Sequence, residues 1–400
     1  MSFIDSVLKY TIGSESPRRY YYWSSLVAIA SVLKDQVYLD KFYYKLYPNI
    51  YVLLVGRSGL RKGPPINLAQ ALVREVNNTR IYAGRVSIQG VITDLAKSKT
   101  KEGGGPPQMD SAGSLFASEF ASFLVSDPQA LTILTDLYDG HYNPEWTYML
   151  KNSPNASLKR PCVVLFGATN EVNMKDVIPD NAIGGGFIAR TFIIYADKKS
   201  VANSLTDRPE ITFPYQGLID ELKEIARCKG EMKWSVRGKA LYNEWYTQFQ
   251  TIETEEDTTG TMERLHDHIL KTAILISIAR KRDMILEYED LDEAIRACKD
   301  FVPGAKRIAI SQVGKSVSAP GTAVLLRELI TRKEHEITRT EALKKHWQHF
   351  DNFELDRIAE SLFAQKAIEI RARRIGDRQE VVYILNPEVL ERYMRKTEAT

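Results

Sequence analysis

Gly56-Arg-Ser-Gly-Leu-Arg-Lys62-Gly63 follows directly on the apolar run Ile50-Tyr-Val-Leu-Leu-Val55. A glycine-bearing turn that ends in lysine can curl its backbone N–H groups round an anion, with a helix N-terminus facing it and the ammonium reaching the outer phosphates. Against the pattern G-x-x-x-x-G-K-[ST], Gly56 and Lys62 stand in register, with Gly59 between them. Arg61 occupies the place of the second glycine, and Gly63 that of the hydroxyl residue that would hold Mg²⁺. Gly56, Arg57, Ser58, Gly59, Leu60, Arg61, Lys62 and Gly63 are therefore the candidate phosphate-binding residues. An ordinary strand-to-helix turn with a chance lysine is the alternative.

Further candidates lie downstream. Ser114-Leu-Phe-Ala-Ser-Glu119 is a short apolar strand ending in an acid. In P-loop ATPases the matching strand ends Asp-Glu, the aspartate holding Mg²⁺ and the glutamate polarising the attacking water. Here Ser118 replaces the aspartate and Glu119 is retained. A strand that simply meets solvent at Glu119 is the plain alternative. Pro161-Cys-Val-Val-Leu-Phe-Gly-Ala-Thr-Asn170 reads as another buried strand whose polar end lies where open α/β sheets bind ligands. Asn170 can orient a water there or cap the next helix. Arg190 ends a glycine-rich turn just ahead of the apolar strand Thr191–Tyr195, a costly place for a guanidinium without a charged partner.

The elements that must hold these groups follow from periodicity. Pro17 opens a helix whose apolar stripe runs through Trp23, Leu26, Val27, Ala30 and Leu33 and should lie on the sheet. The tyrosines Tyr20 to Tyr22 are read as packing rather than as a base-stacking platform. Ile66, Leu68, Ala69, Leu72, Val73 and Val76 recur at helical spacing after the glycine turn. Arg80–Val86 is a second strand, and Ser87 is the N-cap of the helix after it. Residues 97–113, rich in Gly, Pro and Lys, form a mobile loop or hairpin tip. Loosely alternating residues on both sides of Asn152-Ser-Pro-Asn155 signal a hairpin. Lys151, Asn152 and Asn155 near its tip and Lys159 at its base are candidates for contact with a phosphate backbone, a solvated hairpin being the bland alternative.

Residues 1–45 are read as a helical segment packing on an α/β core over 46–214, with a helical lid over 215–303. Residues 304–319 are a linker. The pattern restarts over 320–400 with three helices, one capped by Thr338, and two strands round Gly376-Asp377. Three helices and a two-stranded wing make a winged-helix domain, with Arg371, Arg373, Arg374 and Arg378 on the wing and its tip. Such arginines favour DNA; a protein-docking wing is the alternative.

The chain's 400 residues, 44% apolar and 26% charged, give an ordinary globular composition with room for two or three domains. A net charge of +3 is too small for a general polyanion binder, so nucleic-acid contact must come from local patches. Cys162, Cys228 and Cys298 are too scattered for a disulfide framework or a C-x-x-C metal site. His266 and His268, two residues apart, do not share a helix face, which argues against zinc. No apolar run has membrane length and Met1–Tyr10 lacks a signal-peptide pattern, so a soluble cytoplasmic protein is expected.

With those motifs in that order, the chain resembles AAA+ ATPases of phage or prophage replication, specifically the helicase-like family of the domain-of-unknown-function type. That family is itself similar to the minichromosome-maintenance helicases. The resemblance runs over about residues 15–300, including Leu46-Tyr-Pro-Asn-Ile-Tyr51 before the glycine turn; the last 80 or so residues match only the general winged-helix plan. It implies a P-loop AAA+ core with a parallel sheet and helical lid, ATP with Mg²⁺, and catalytic roles for four residues. Glu119 corresponds to the acid of the second strand motif and Asn170 to the sensor asparagine. Arg190, in Gly-Phe-Ile-Ala-Arg-Thr-Phe, resembles the arginine finger that reaches a neighbouring subunit's nucleotide, and Arg264, in Glu-Arg-Leu, the second sensor of the lid. The hairpin round Asn152–Asn155 takes the place of the pore hairpin that grips DNA.

The resemblance leads to an expected hexameric ring, a helicase or translocase on single-stranded or forked DNA, working with replication proteins in a bacterial or phage-infected cell. Gly63 and Ser118 depart from the family at both positions that normally position Mg²⁺. A non-hydrolysing AAA+ scaffold or loading factor is therefore the second expectation, and a winged-helix transcription regulator a third.

Overall fold

The computed structural model describes residues 1–99, 108–120, 129–140, 145–149, 155–170, 186–202, 212–250, 260–299, 319–332, 334–347, 350–375, 378–387 and 389. Chain contacts divide the protein into Met1–Ala309 and Ile310–Thr400.

The first unit is α/β. Helices α1 (Phe3–Tyr10) and α2 (Arg18–Leu33) precede strand β1 (Tyr51–Val55) and helix α3 (Gly63–Val76). Strand β2 (Arg80–Ala83), helix α4 (Ile88–Leu95), strand β3 (Ala112–Ala117) and helix α5 (Ala130–Tyr138) follow, then strands β4 (Cys162–Thr169) and β5 (Thr191–Tyr195). The five strands form one sheet in the order β5-β1-β4-β3-β2, and every pairing is parallel. Parallel strands covered on both faces should be continuously apolar, and all five residues of β1 and all eight of β4 are buried.

Alternate side chains of the sheet serve two cores, as the strand period of two demands. Val52, Leu54, Phe166, Ala168, Phe192 and Ile194 face α1, α2, α3 and a later helical group. Tyr51, Leu53, Val55, Val163, Leu165 and Ile193 face α4 and α5. The later group comprises α6 (Tyr215–Ile225), α7 (Val236–Gln250), α8 (Thr261–Arg280) and α9 (Tyr288–Cys298). Because these helices share a core with α2, the stripe read on α2 is in fact buried nearly all round, with Tyr20, Tyr21 and Trp23 to Leu33 covered. Ser87 caps α4 through its hydroxyl, which accepts from the Gly90 N–H at 3.1 Å.

Three short antiparallel pairs lie outside this sheet among the described residues of the unit, Val37–Asp40 with Lys45–Leu46, Ser98–Lys99 with Gln108–Met109, and Trp146–Tyr148 with Ala156–Leu158; the last is a hairpin. The 146–158 hairpin is where residues 142–160 foretell one; its tip, with Lys151 and Asn152, lies outside the described residues. Most of the linker over 304–319 lies outside them too. Among the described residues, no helix is long and apolar enough to cross a membrane.

The second unit holds helices α10 (Ala319–Thr331), α11 (Arg339–Lys345) and α12 (Asn352–Ala364). Its antiparallel sheet has three strands, β6 (Glu336–Thr338), β7 (Ile368–Ile375) and β8 (Arg378–Leu385), in the order β6-β8-β7. Strand β6 is not foreseen in the sequence: three residues are too few to show alternation. Thr338 is at once its last residue and the N-cap of α11, accepting from the Glu341 N–H at 3.2 Å.

Candidate nucleotide site

The parallel sheet has a polar carboxyl edge, and the strand order decides which residues meet there. β4 lies between β1 and β3, pairing Thr169 with Val55 and Gly167 with Ala117. The glycine turn after Val55, Glu119 after β3 and Asn170 after β4 therefore leave the sheet on the same side, from neighbouring strands about 4.8 Å apart. Glu119 is exposed and Asn170 half-buried.

The glycine turn is shaped by close packing on one side and by backbone freedom on the other. A Cβ at Gly56 would stand 2.6 Å from Leu60 Cδ1, 2.8 Å from the Ala196 carbonyl and 2.9 Å from the Tyr20 hydroxyl. No larger residue fits there. Gly59 has φ +85° and Arg61 φ +55°, both left-handed. Arg61 thus keeps the conformation that a glycine would adopt without cost, at a penalty of about 1–2 kcal/mol for an L residue. Its guanidinium reaches Glu15 at 3.0 Å, and its carbonyl accepts from the Ser16 hydroxyl at 2.7 Å.

Lys62 folds over the turn. Its Nζ donates to the carbonyls of Gly56 at 2.7 Å and Arg57 at 2.9 Å, so the ammonium spans the concavity instead of pointing out of it. Helix α3 begins at the next residue with Gly63, Pro64 and Pro65, so of its first three residues only Gly63 carries an N–H, which has no intrahelical partner by construction. The turn, the helix start and Lys62 fit a polyphosphate. The set of donors for a divalent metal fits less well, because Gly63 offers no hydroxyl and Ser118 no carboxylate. A Cβ at Gly63 would meet nothing within 4 Å, so space does not forbid the missing side chain.

Helix α2 braces this edge. Tyr20 donates its hydroxyl to the Val55 carbonyl at 2.6 Å, and Ser24 donates to the Pro65 carbonyl at 2.7 Å. The sequence marks these residues only as part of an apolar helix; their hydroxyls pin both ends of the glycine turn.

Arg190 and Arg264 lie elsewhere. Thr191 pairs with Tyr51 at the start of both strands, so Arg190 sits at the amino edge, roughly 16 Å along β1 from its own glycine turn. Its Nε and Nη2 donate to Asp139 Oδ2 at 2.9 and 2.5 Å, and its Nη1 to the Gly186 carbonyl at 3.0 Å. Arg264 brings Nη2 to the same Asp139 oxygen at 3.3 Å. Burial pushes the Asp139 carboxyl up, but the Arg264 and Arg190 guanidiniums outweigh it and hold the carboxyl below its usual range. The structure thus brings Arg190 and Arg264, 74 residues apart in the chain, to one carboxylate, and supplies the charged partner that the placing of Arg190 demands.

The same face of α8 continues inward. His268 Nε2 lies 2.8 Å from the Ala189 carbonyl, and Lys271 Nζ donates to the Asn49 carbonyl and side chain at 3.0 and 2.9 Å. Burial drives the His268 ring down to about 3, and the Lys271 amine down to about 7 against the pull of Asp139 and Asp267. Sequence reasoning missed Asp139, Asn49 and Lys271. The spacing of Arg264, His268 and Lys271 at i, i+4 and i+7 on an apolar helix was the available signal.

Of the nucleic-acid candidates, Asn155 is exposed at the tip end of the hairpin strand Ala156–Leu158 and Lys159 is exposed at its base. In the second unit Arg373 makes a double contact with Glu336 at 2.6 and 3.0 Å, and Arg371 pairs with Glu369 at 2.5 Å. Arg374 is exposed on β7; the Arg378 side chain lies outside the described residues. No protein-family model matches the chain, and no curated protein matches it.

Proposed function

We propose that the chain is an ATP-driven AAA+ motor on DNA that works as a ring, with each protomer supplying half of every nucleotide site.

ATP would lie between subunits, on the glycine turn and Lys62 of one protomer and facing Arg190 of the next. The observation that carries this reading is the division between the two edges of the sheet. The glycine turn, Glu119 and Asn170 share the carboxyl edge, while Arg190 stands at the amino edge, too far from its own turn to serve it. The strand order β5-β1-β4-β3-β2 supports a P-loop core, since it sets the acid-bearing and asparagine-bearing strands beside the glycine turn.

In this reading the residues act as follows. Backbone N–H groups of the turn and of Gly63 bind the phosphates, and Lys62 leaves its two carbonyls to neutralise the outer pair. Glu119 accepts a proton from the attacking water, and Asn170 orients that water. Mg²⁺ would add charge stabilisation on the phosphates, although Gly63 and Ser118 supply neither the hydroxyl nor the carboxylate that usually anchors it. The 146–158 hairpin tracks a DNA strand, and the second unit, read as a winged helix, adds contact through Arg374 and its neighbours. The setting is phage or prophage replication in the cytoplasm.

The paired loss at Gly63 and Ser118 favours one other reading, a scaffold or loading factor that binds ATP for assembly and does not hydrolyse it. Measuring ATP binding and turnover separately, with and without single-stranded DNA, divides the two. The motor reading expects DNA-stimulated turnover that Lys62→Ala and Arg190→Ala each lower by about a hundredfold or more, to a measurable remainder. Tight binding without turnover selects the scaffold, and turnover indifferent to both substitutions rejects the site.

A further inference from the structure

One carboxylate on the amino edge is marked by no motif, yet two candidate catalytic arginines depend on it. Arg190 spends three of its five N–H bonds internally, Nε and one of Nη2 on Asp139 and one of Nη1 on the Gly186 carbonyl. One N–H on Nη1 and one on Nη2 remain for a second oxyanion. Arg264 approaches the same Asp139 oxygen. Two guanidiniums so close would repel each other; the carboxylate between them offsets that repulsion.

Asp139 is itself tied down. It follows the last residue of α5, whose Tyr138 carbonyl accepts from Asn49 Nδ2 at 3.0 Å and whose Leu134 carbonyl accepts from the Tyr51 hydroxyl at 2.8 Å. Tyr51 opens β1 and Asn49 stands two residues before it, so the carboxylate is referenced to the sheet. Arg190 is 14% exposed and Arg264 33%, which leaves the pair reachable from outside the protomer.

We propose that Asp139 is a positioning residue, which aims Arg190, with Arg264 beside it, at the terminal phosphates of a nucleotide held by a second copy of the chain. The inference rests on the reading of Arg190 as acting between subunits. Asp139 touches no substrate; it acts through the arginines.

The test is a double-mutant cycle on the full-length chain, reading ATP turnover with single-stranded DNA for Asp139→Asn, Arg190→Ala and the pair combined. Asp139→Asn should lower kcat about tenfold to a hundredfold with KM for ATP nearly unchanged, because the nucleotide is bound by the other protomer's turn. Asp139→Glu should recover part of the loss, and the combined variant should be no slower than Arg190→Ala alone. Losses that multiply, or wild-type kcat in Asp139→Asn while Arg190→Ala is impaired, overturn the assignment. Wild-type turnover in Arg190→Ala instead rejects the parent reading. Should Asp139→Asn fail to fold, Asp139→Glu combined with Arg190→Ala serves the same cycle. If the chain binds ATP without turnover, ATP-dependent self-association measured by sedimentation replaces kcat, with the same pattern of dependence expected and the same additivity overturning it.

Discussion

The hydroxyl of Tyr20 donates to the carbonyl of Val55 at 2.6 Å, across 35 residues of chain, and so fixes the last residue of β1 before the glycine turn begins. The same carbonyl accepts from the Ala196 N–H at 3.1 Å. Tyr20→Phe removes one of these two donors from a buried acceptor and should cost about 1 kcal/mol of stability. Loss of the brace should also weaken ATP binding, by less than about tenfold. Chemical denaturation and nucleotide titration of the variant check both.

Gly56 and Gly63 are both glycines at the turn, with opposite expected tolerance. Gly56→Ala would drive a methyl into the Ala196 carbonyl and the Tyr20 hydroxyl, and should destabilise by about 1–3 kcal/mol while abolishing ATP binding. Gly63→Ser places its Cβ in open space at the start of α3 and should leave stability within about 0.5 kcal/mol of wild type. It restores a hydroxyl where one is missing, so turnover at limiting Mg²⁺ should rise. Unchanged Mg²⁺ dependence in Gly63→Ser would show that the position does not bear on the metal.

Stability should fall in acid through His268. Its ring is held near a pKa of about 3 by burial, whereas an unfolded histidine titrates near about 6.5. Between those values the unfolded chain binds a proton that the native chain refuses, so stability rises with pH and is lost as pH falls, by up to about 1.4 kcal/mol per pH unit from this ring. His268→Gln should flatten that limb relative to wild type in denaturant titrations between pH 4 and 6.5. Parallel slopes for the two proteins would contradict the assignment.

The arginines of the second unit should not contribute equally to DNA binding. Arg373 and Arg371 already face Glu336 and Glu369, so a phosphate must compete with a carboxylate for each. Arg374→Ala should therefore weaken binding of single-stranded DNA more than Arg373→Ala, and should lower the salt slope by about one phosphate contact. Salt titrations of both variants decide this.

What the sequence made legible follows the strength of its local signals. The buried strands and the glycine turn could be read because fully apolar runs and a left-handed turn have few alternative uses. The partner of Arg190 could not be read, because Asp139 is brought to it across 51 residues by the packing of α5 under the sheet. Tyr20 and Ser24 likewise look like packing residues until the α2–β1 geometry shows their hydroxyls on backbone carbonyls. Short strands such as β6 carry too little pattern to be seen at all.

The central claim is that Lys62 of one protomer and Arg190 of the next complete one site. Mixing Lys62→Ala protein with Arg190→Ala protein tests it most directly. Each variant alone has every site broken, but a mixed ring contains interfaces that join an intact turn to an intact arginine. Recovery of DNA-stimulated ATP turnover on mixing is the predicted result; turnover no greater than that of the separate variants, in rings shown to exchange subunits, would contradict it.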